Sequence, residues 1–371
     1  MTATELRQPL HYTVRRSPYF ERTLAEGARE FMVYNHTYMP MDYGRDPREE
    51  YEAITQRVTL WDVGAERQAE LRGAGALALA DYLSPRDLSA LGVGACRYTP
   101  VCDPRGEIMA DCIVLCPWEN VVWYSHSDVD LSLWAYGLGL ARGDDVHVEE
   151  ADVAPVQVQG PRALDVLRPL AEADLAGLAR FRCAVTAVAG VPAVVSNTGW
   201  SREPGYEVYP LGSERAVEVW DAIVEAGAPH GLLVTGPNLN RAVEQGITDT
   251  QYRTNSHMNP FEAGLGALVD LDGAPFVGRD ALLAVRERGP RRKSVGLLVE
   301  GEAFPRFDDF WPVADGSGAE VGHARWAVWS YALESNIAIA LVEAATPEDA
   351  PLVVRAPDGD RAASVHPIPF V

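Results

Sequence analysis

The sequence has few of the features that mark membrane proteins or nucleic-acid-binding proteins. It has no run of 18 apolar residues, and its first residues, Met1-Thr-Ala-Thr-Glu-Leu-Arg7, carry no apolar signal core. We therefore expect a cytoplasmic protein. Only 32 Lys and Arg residues oppose 53 Asp and Glu residues, which gives a formal net charge of -21. Such a charge repels phosphate backbones and anionic lipids, so neither nucleic acid nor a membrane is expected as a partner.

The chain also lacks the spacings that metal sites and nucleotide sites require. Its five cysteines include no CxxC pair and no Cys/His zinc spacing. This pattern favours small buried hydrophobic side chains in a reducing compartment over metal ligands or disulfides. The motifs of nucleotide-binding loops, serine hydrolases and zinc peptidases are missing as well. We expect no metal ion.

What is present is enough apolar sequence for a large globular protein. Hydrophobic residues make up 47% of the 371 residues, and the length suits two or three domains of roughly 100 to 200 residues each. Strand and helix patterns alternate as far as residue 287, and the spacing predicts a helix over 47–60 that becomes extended at Trp61. Charged and Gly-Pro residues interrupt the pattern at 287–293. Beyond them, strand-like runs separated by turns predict a small β-barrel.

One acid, Asp111, interrupts an apolar strand predicted over 108–115. Residues alternate between the two faces of a strand, so Asp111 points the same way as Met109, Ile113 and Leu115, which we expect to be the buried side. A buried carboxylate is costly unless it has a partner, and that partner is either a protein group or a ligand that donates a proton or hydrogen bond. The strand alone leaves a structural acid and a functional acid equally open.

Four motifs follow one another along the chain. They are Arg97-Tyr-Thr-Pro-Val-Cys-Asp-Pro-Arg-Gly-Glu-Ile-Met-Ala-Asp111, Gln157-Val-Gln-Gly-Pro161, Ser196-Asn-Thr-Gly-Trp-Ser-Arg-Glu-Pro-Gly-Tyr-Glu207 and Asn259-Pro-Phe-Glu-Ala-Gly-Leu265. Together they resemble the glycine cleavage T-protein (aminomethyltransferase) family, and the resemblance covers nearly the whole chain. Trp61-Asp-Val63, Glu66-Arg-Gln68 and Thr198-Gly-Trp200 look closest to the tetrahydrofolate-dependent demethylase branch of that family.

The resemblance implies an α+β fold, a three-domain cloverleaf of the T-protein type with a C-terminal β-barrel domain. The implied domains are residues 1–66 with 151–248 (the first, folate-binding, α+β domain), residues 67–150 with 249–287 (the second α+β domain) and residues 288–371 (the barrel). It also implies tetrahydrofolate as the cofactor, bound where the domains meet, and a small methylated molecule as the substrate.

The resemblance assigns site residues by motif. The family's key acid is the second Asp of a Gly-Gly-Ile-x-Asp-Asp run, which matches Asp111, while Ala110 replaces the first Asp. Asp111 is therefore the implied catalytic residue. The implied cofactor-binding residues are Tyr98, Asp111, Trp123, Ser125, Trp200, Glu207 and Glu244. A carboxylate such as Glu207 suits a pterin, because the ring presents an amino group and a ring N–H side by side.

Three functions remain open after this comparison of motifs. The leading one is transfer of a methyl group from a small O-, S- or N-methylated donor to N5 of tetrahydrofolate, with Asp111 stabilising the positive charge that develops there. The second is folate-dependent donation of a one-carbon unit, either as in an aminomethyltransferase or to another acceptor. The third is a non-catalytic folate-binding protein. A lipoyl carrier protein is not an expected partner, because so acidic a chain would repel an acidic carrier.

The segment 241–257 departs from the family's pattern. It reads Arg241-Ala-Val-Glu244 followed by Gln-Gly-Ile-Thr-Asp-Thr-Gln-Tyr-Arg-Thr-Asn-Ser-His257, where relatives carry a more apolar stretch. These polar side chains could recognise a hydroxylated or charged substrate, or the loop could simply be more solvated. The sequence leaves both interpretations open.

Overall fold

A computed structural model describes residues 12–247, 257–304 and 306–371 of the chain. Most of the divergent segment, residues 248–256, lies outside the described residues. The strands are β1 (Arg15–Arg16), β2 (Glu30–Tyr34), β3 (Thr37–Asp42), β4 (Val58–Asp62), β5 (Arg67–Arg72), β6 (Cys96–Cys102), β7 (Ile108–Trp118), β8 (Val121–His126), β9 (His147–Glu150), β10 (Val156–Gln159), β11 (Cys183–Val188), β12 (Val191–Ser196), β13 (Gly205–Pro210), β14 (Leu232–Val234), β15 (Arg292–Val299), β16 (Trp311–Asp315), β17 (Glu320–Ser330), β18 (Ser335–Glu343), β19 (Leu352–Ala356) and β20 (Gly359–His366). The α-helices are α1 (Phe20–Ala25), α2 (Pro47–Gln56), α3 (Ala76–Leu83), α4 (Leu131–Arg142), α5 (Ala163–Leu167), α6 (Ala216–Gly227), α7 (Leu239–Glu244) and α8 (Arg279–Arg288). Among these helices, none is both long enough and apolar enough to cross a membrane.

The predicted helix over 47–60 is wrong in its last residues. Helix α2 starts at Pro47, where the Asp46 side chain caps it by accepting a hydrogen bond from the Arg48 N–H at 2.9 Å, and it ends at Gln56. The chain then enters β4, which pairs with β10 on one side and β14 on the other. All five residues of β4 are buried. Pairing on both edges and a buried, β-branched start outweigh the local helical spacing.

The described residues form two compact units. The first contains the residues up to Val101 together with Met109–Gly199 and Glu203–Pro237. The second contains Cys102–Ile108, Trp200–Arg202 and the described residues from Asn238 to Val371. The three-domain boundaries expected from the sequence stay a prediction.

The first unit contains two large sheets and a small one. The six-stranded sheet has the order β11-β12-β13-β10-β4-β14, the five-stranded sheet has the order β6-β7-β8-β5-β9, and β1-β3-β2 form the third. Helices α3 and α4 cover one face of the five-stranded sheet. Its other face meets the six-stranded sheet in a single apolar cluster, in which Leu115 and Trp123 pack with Val194 and Tyr209.

The second unit contains the closed barrel that the sequence predicts. Its strands follow the order β15-β18-β17-β16-β19-β20, and side chains such as Leu297, Val313 and Val354 fill its interior. The Asp-Pro-Arg-Gly turn between β6 and β7 also belongs to this unit. There Asp103 accepts hydrogen bonds from the backbone N–H groups of Arg105 and Glu107 at 2.8 and 3.0 Å, which closes the turn.

The cysteines have the role predicted from their spacing. All five are free thiols and all five are buried. They act as small apolar side chains in the packing of the sheets.

Candidate functional site: a carboxylate cluster between two sheets

The faces of three strands in the first unit bring polar groups together. On β13, Glu207 and Tyr209 lie on one face while Tyr206 and Val208 belong to the apolar core on the other. On β8, Ser125 shares the face of Trp123, which also lies in the inter-sheet cluster. The polar members of these faces therefore point into the same space between the sheets as the apolar cluster.

Asp111 lies on this inner face of β7, beside Met109 and Ile113 as predicted. All three are half-buried, whereas Ala110 and its alternate neighbours on the opposite face are fully buried against α3 and α4. The expectation that Asp111 occupies the more buried side is therefore wrong. Ala110, which replaces the family's first Asp, suits its place in an apolar core.

Two neighbours hold Asp111 in place. The Tyr98 hydroxyl donates a hydrogen bond to Asp111 Oδ2 at 3.0 Å, and the Asp111 backbone N–H donates to Ser127 Oγ at 3.1 Å. No other side chain within residues 12–247, 257–304 and 306–371 donates to the Asp111 carboxylate. The predicted residues Tyr98 and Asp111 are thus brought together.

Glu207 is buried, and its hydrogen bonds come from neutral donors. Its Oε2 accepts hydrogen bonds from Thr198 Oγ1 at 2.5 Å, Tyr209 OH at 2.7 Å and Ser196 Oγ at 3.3 Å, while Oε1 accepts one from Gln157 Nε2 at 2.8 Å. Burial raises the pKa of Glu207, and the bonds from Thr198, Tyr209 and Ser196 only partly offset this. Oε1 keeps room for a second donor.

Glu66 joins the cluster although the motif comparison did not select it. Gln157 Nε2, which donates to Glu207, also donates to Glu66 Oε1 at 3.3 Å, so one amide bridges two carboxylates. The pKa of Glu66 is raised well above its usual value, first by burial and then by the negative charges of Glu207 and Asp111. A sequence signal did exist: the polar Glu66 follows directly on the buried segment that ends in Val63 and Ala65.

Trp123 and Ser125 are placed in the packing beneath the cluster. Trp123 is 1% exposed, its ring lies 6.1 Å from that of Tyr209, and its indole N–H donates to Glu70 Oε2 at 2.7 Å. This leaves almost no surface for a cofactor, so Trp123 offers little area for the predicted contact with tetrahydrofolate. Ser125 is buried as well and accepts a hydrogen bond from Gln68 Nε2 at 3.1 Å.

Glu244 and Trp200 belong to the second unit. Glu244 is fully buried, and its carboxylate accepts hydrogen bonds from Ser330 Oγ at 2.6 Å, Arg241 Nη1 at 3.1 Å and the Ala332 N–H at 3.2 Å. Its charge is paired with that of Arg241, and its contacts tie α7 to the barrel. The structure therefore gives Glu244 a structural role, in contrast to the predicted cofactor contact. Trp200 is half-buried.

Counted over the part of the chain that the structure describes, the cluster has more hydrogen-bond acceptors than donors. Three carboxylates, Glu66, Asp111 and Glu207, share five neutral side-chain donors, which are Tyr98, Gln157, Ser196, Thr198 and Tyr209. Buried polar groups are normally paired, so this surplus suits a ligand that brings N–H donors. The neighbouring N–H groups of a reduced pterin fit this requirement.

Comparison with known proteins identifies the family to which the chain is similar. The family model described as GCVT N-terminal domain matches residues 19–273, and the glycine cleavage T-protein C-terminal barrel domain matches residues 292–371. Dimethylsulfoniopropionate demethylase of Ruegeria pomeroyi is 33% identical over 95% of this chain and 96% of its own. An aminomethyltransferase of Streptomyces avermitilis is 34% identical over 83% of this chain and 84% of its own.

A solved structure shares the fold. The glycine cleavage system aminomethyltransferase T from Bartonella henselae superimposes with a TM-score of 0.84, covering 96% of this chain and 98% of that chain at 21% identity. The α+β fold with its closed barrel is the fold of that neighbour, and the family models and similar relatives make this chain a one-carbon transferase. The chain belongs to the glycine cleavage T-protein family, and its cofactor is tetrahydrofolate.

Proposed function

We propose that this protein transfers a methyl group from a small O-, S- or N-methylated donor to N5 of tetrahydrofolate. The observation that carries the proposal is the half-buried Asp111 carboxylate, which Tyr98 holds by one oxygen beside the acceptor-rich cluster. Tetrahydrofolate supplies the nucleophilic nitrogen that receives the methyl group. The residues of this chain orient the reactants, accept a proton and stabilise the developing positive charge.

Asp111 has the properties that this role requires. A carboxylate near a nitrogen that becomes positively charged stabilises the charge, and it can accept the proton that leaves. The Tyr98 hydroxyl fixes one carboxylate oxygen, so the carboxylate is oriented before a substrate arrives. Glu207 and Gln157 are the groups that we propose to hold the pterin ring.

The donor that we propose carries its methyl groups on a cationic centre, as the sulfonium of dimethylsulfoniopropionate does. The relative from Ruegeria pomeroyi, which is similar over nearly the full length, is named for that compound. The cluster supports the same class, because the charges that act most strongly on Glu66 are negative and a cation would offset them.

The test is to incubate the purified protein with tetrahydrofolate and separate methylated donors: dimethylsulfoniopropionate, glycine betaine and a methoxyarene. The product, 5-methyltetrahydrofolate, is measured by mass spectrometry. We expect product from at least one donor, and we expect Asp111→Asn to lower the rate by about 10²- to 10⁴-fold. The control is Asp280→Asn, the same change at an exposed position in the first turn of α8.

Two outcomes would overturn the proposal. In one, tetrahydrofolate binds but no donor yields product, which indicates a folate-binding protein. In the other, Asp111→Asn forms product at the full wild-type rate, as the control variant Asp280→Asn does.

Aminomethyl transfer is the second candidate function. It is favoured by the 34% identity with the Streptomyces avermitilis aminomethyltransferase. Turnover of an aminomethyl group carried on a lipoyl protein, with none of the methylated donors active, would select this function over methyl transfer.

A further inference from the structure

We propose that Glu66 is the donor-binding residue that exchanges a proton for a cation: it is neutral in the free protein and becomes a carboxylate when a positively charged methyl donor binds. This inference rests on the proposed function and adds to it a residue and a linked proton. The overall step is the binding of one cationic donor with release of one proton to solvent, so charge is conserved and no bond other than the O–H bond of Glu66 is broken.

The geometry around Gln157 supports this role. The two hydrogens of one amide nitrogen are directed to two carboxyl groups, Glu66 at 3.3 Å and Glu207 at 2.8 Å. Glu207 also accepts from three hydroxyl groups, whereas Gln157 is the side chain that donates to Glu66. Of the two, Glu66 is therefore the carboxyl group that is less well stabilised as an anion, and its Oε2 has no donor within the described part of the chain.

Among the residues that the structure describes, no cation is paired with Glu66. On its own segment, Arg67 is directed to Glu150, with 2.5 Å between Arg67 Nη2 and Glu150 Oε2, and to Asp130. From β7 the group that acts on Glu66 is Asp111, and from β13 it is Glu207, both acids. Tyr209 on β13 donates to Glu207. Glu70 on β5 is bound to Trp123 and Arg72.

The electrostatics give the direction of the linkage. Burial and the two neighbouring acids raise the pKa of Glu66 well above its usual value, which favours the neutral form in the free protein at pH values between the usual and the raised pKa. A bound cation close to Glu66 favours the charged form and lowers that pKa. Affinity for a cationic donor should therefore increase with pH up to the raised pKa of Glu66, and proton release should accompany binding below it.

The experiment is isothermal titration calorimetry with the complete protein in two buffers of different ionisation enthalpy at the same pH. The difference in apparent enthalpy between the buffers gives the number of protons released. The probes are dimethylsulfoniopropionate and 4-methylpentanoate, in which a neutral CH group replaces the sulfonium. We expect release of up to one proton with the sulfonium compound and none with 4-methylpentanoate, which has the same carboxylate but lacks the sulfonium charge.

The variants separate Glu66 from its surroundings. Glu66→Gln keeps the acceptor for Gln157 but cannot ionise, so we expect it to abolish the proton release and to weaken sulfonium binding roughly tenfold or more. It should leave 4-methylpentanoate binding unchanged. Glu119→Gln, the same change in the exposed β7–β8 turn, should behave like the wild-type protein.

Three results would overturn this inference: proton release that persists in Glu66→Gln, equal release with both probes, or no binding of the sulfonium compound. These results leave the proposed function to its own test, because 5-methyltetrahydrofolate formed from a neutral methoxy donor would still establish methyl transfer. The comparison of the two probes on the wild-type protein needs no variant and holds even if Glu66→Gln fails to fold.

Discussion

Two buried glutamates, one in each compact unit, are stabilised by different kinds of partner. Glu244 is 0% exposed, and its charge is paired with Arg241 and satisfied by Ser330 and a backbone N–H. Glu207 is 4% exposed, its hydrogen bonds come from neutral donors, and burial raises its pKa. Both residues were predicted to bind the cofactor.

The difference teaches how to separate structural acids from functional ones. A buried carboxylate that has its own cation is complete, and removing it leaves that cation unpaired. A buried carboxylate that shares neutral donors with other acids still gains from a positive charge or an N–H donor. This criterion favours the Glu66–Asp111–Glu207 cluster as the functional region that we propose, whereas Glu244 connects α7 to the barrel.

The largest effect on stability should come from Glu244→Ala. It removes the carboxylate from half-buried Arg241 and the acceptor from Ser330 and the Ala332 N–H, and should lower the free energy of unfolding by about 3–5 kcal/mol, measured by urea denaturation. The control is Glu225→Ala on the exposed side of α6, which should change it by less than about 0.5 kcal/mol. A loss for Glu244→Ala no larger than that of the control would remove the contrast between the two glutamates.

A smaller and different effect is expected for Glu207→Gln. The variant loses charge-assisted hydrogen bonds to the pterin, each worth about 1.5–3 kcal/mol, so tetrahydrofolate affinity should fall by roughly 10- to 100-fold. The free energy of unfolding should change less than it does in Glu244→Ala, because the substitution removes a desolvated charge. Affinity is measured by fluorescence titration. Unchanged affinity together with a large loss of stability would place Glu207 with Glu244.

The pH dependence of stability should report the raised pKa of Glu66 in the cluster. The pKa of Glu66 is raised in the folded protein above its usual value of 4.5, so the folded state binds more protons than the unfolded state above that pH. Its contribution is therefore fully present below about pH 4.5 and is lost as pH rises through the raised pKa, at up to about 1.4 kcal/mol per pH unit. Glu66→Gln should flatten this decline above about pH 4.5, as measured by thermal denaturation. An identical slope in the variant would contradict the assignment.

Much of the fold could be predicted from local pattern, and the site only in part. The closed barrel lies where the strand-like runs beyond residues 287–293 predict it, because the apolar faces of its strands are satisfied inside it. The end of α2 could not be predicted, since distant β10 and β14 decide it. Glu66 and Glu244 depend on long-range partners: spacing locates an acid on an element but does not reveal whether a cation or another acid faces it.

The smallest effect on tetrahydrofolate affinity is expected for a substitution of Trp123, which lies in the packing beneath the cluster. Trp123→Phe keeps a six-membered aromatic ring near Tyr209 but removes the fused five-membered ring and its N–H, which donates to Glu70. Arg72 still pairs with Glu70 at 2.6 Å, so the lost hydrogen bond should cost about 1 kcal/mol of stability, and the cavity left by the smaller ring should add to that loss. Because Trp123 is 1% exposed, tetrahydrofolate affinity should stay within about twofold of wild type, since only the net value of one distant hydrogen bond is lost. A large loss of affinity with unchanged stability would instead return Trp123 to the binding surface, where the motif comparison placed it.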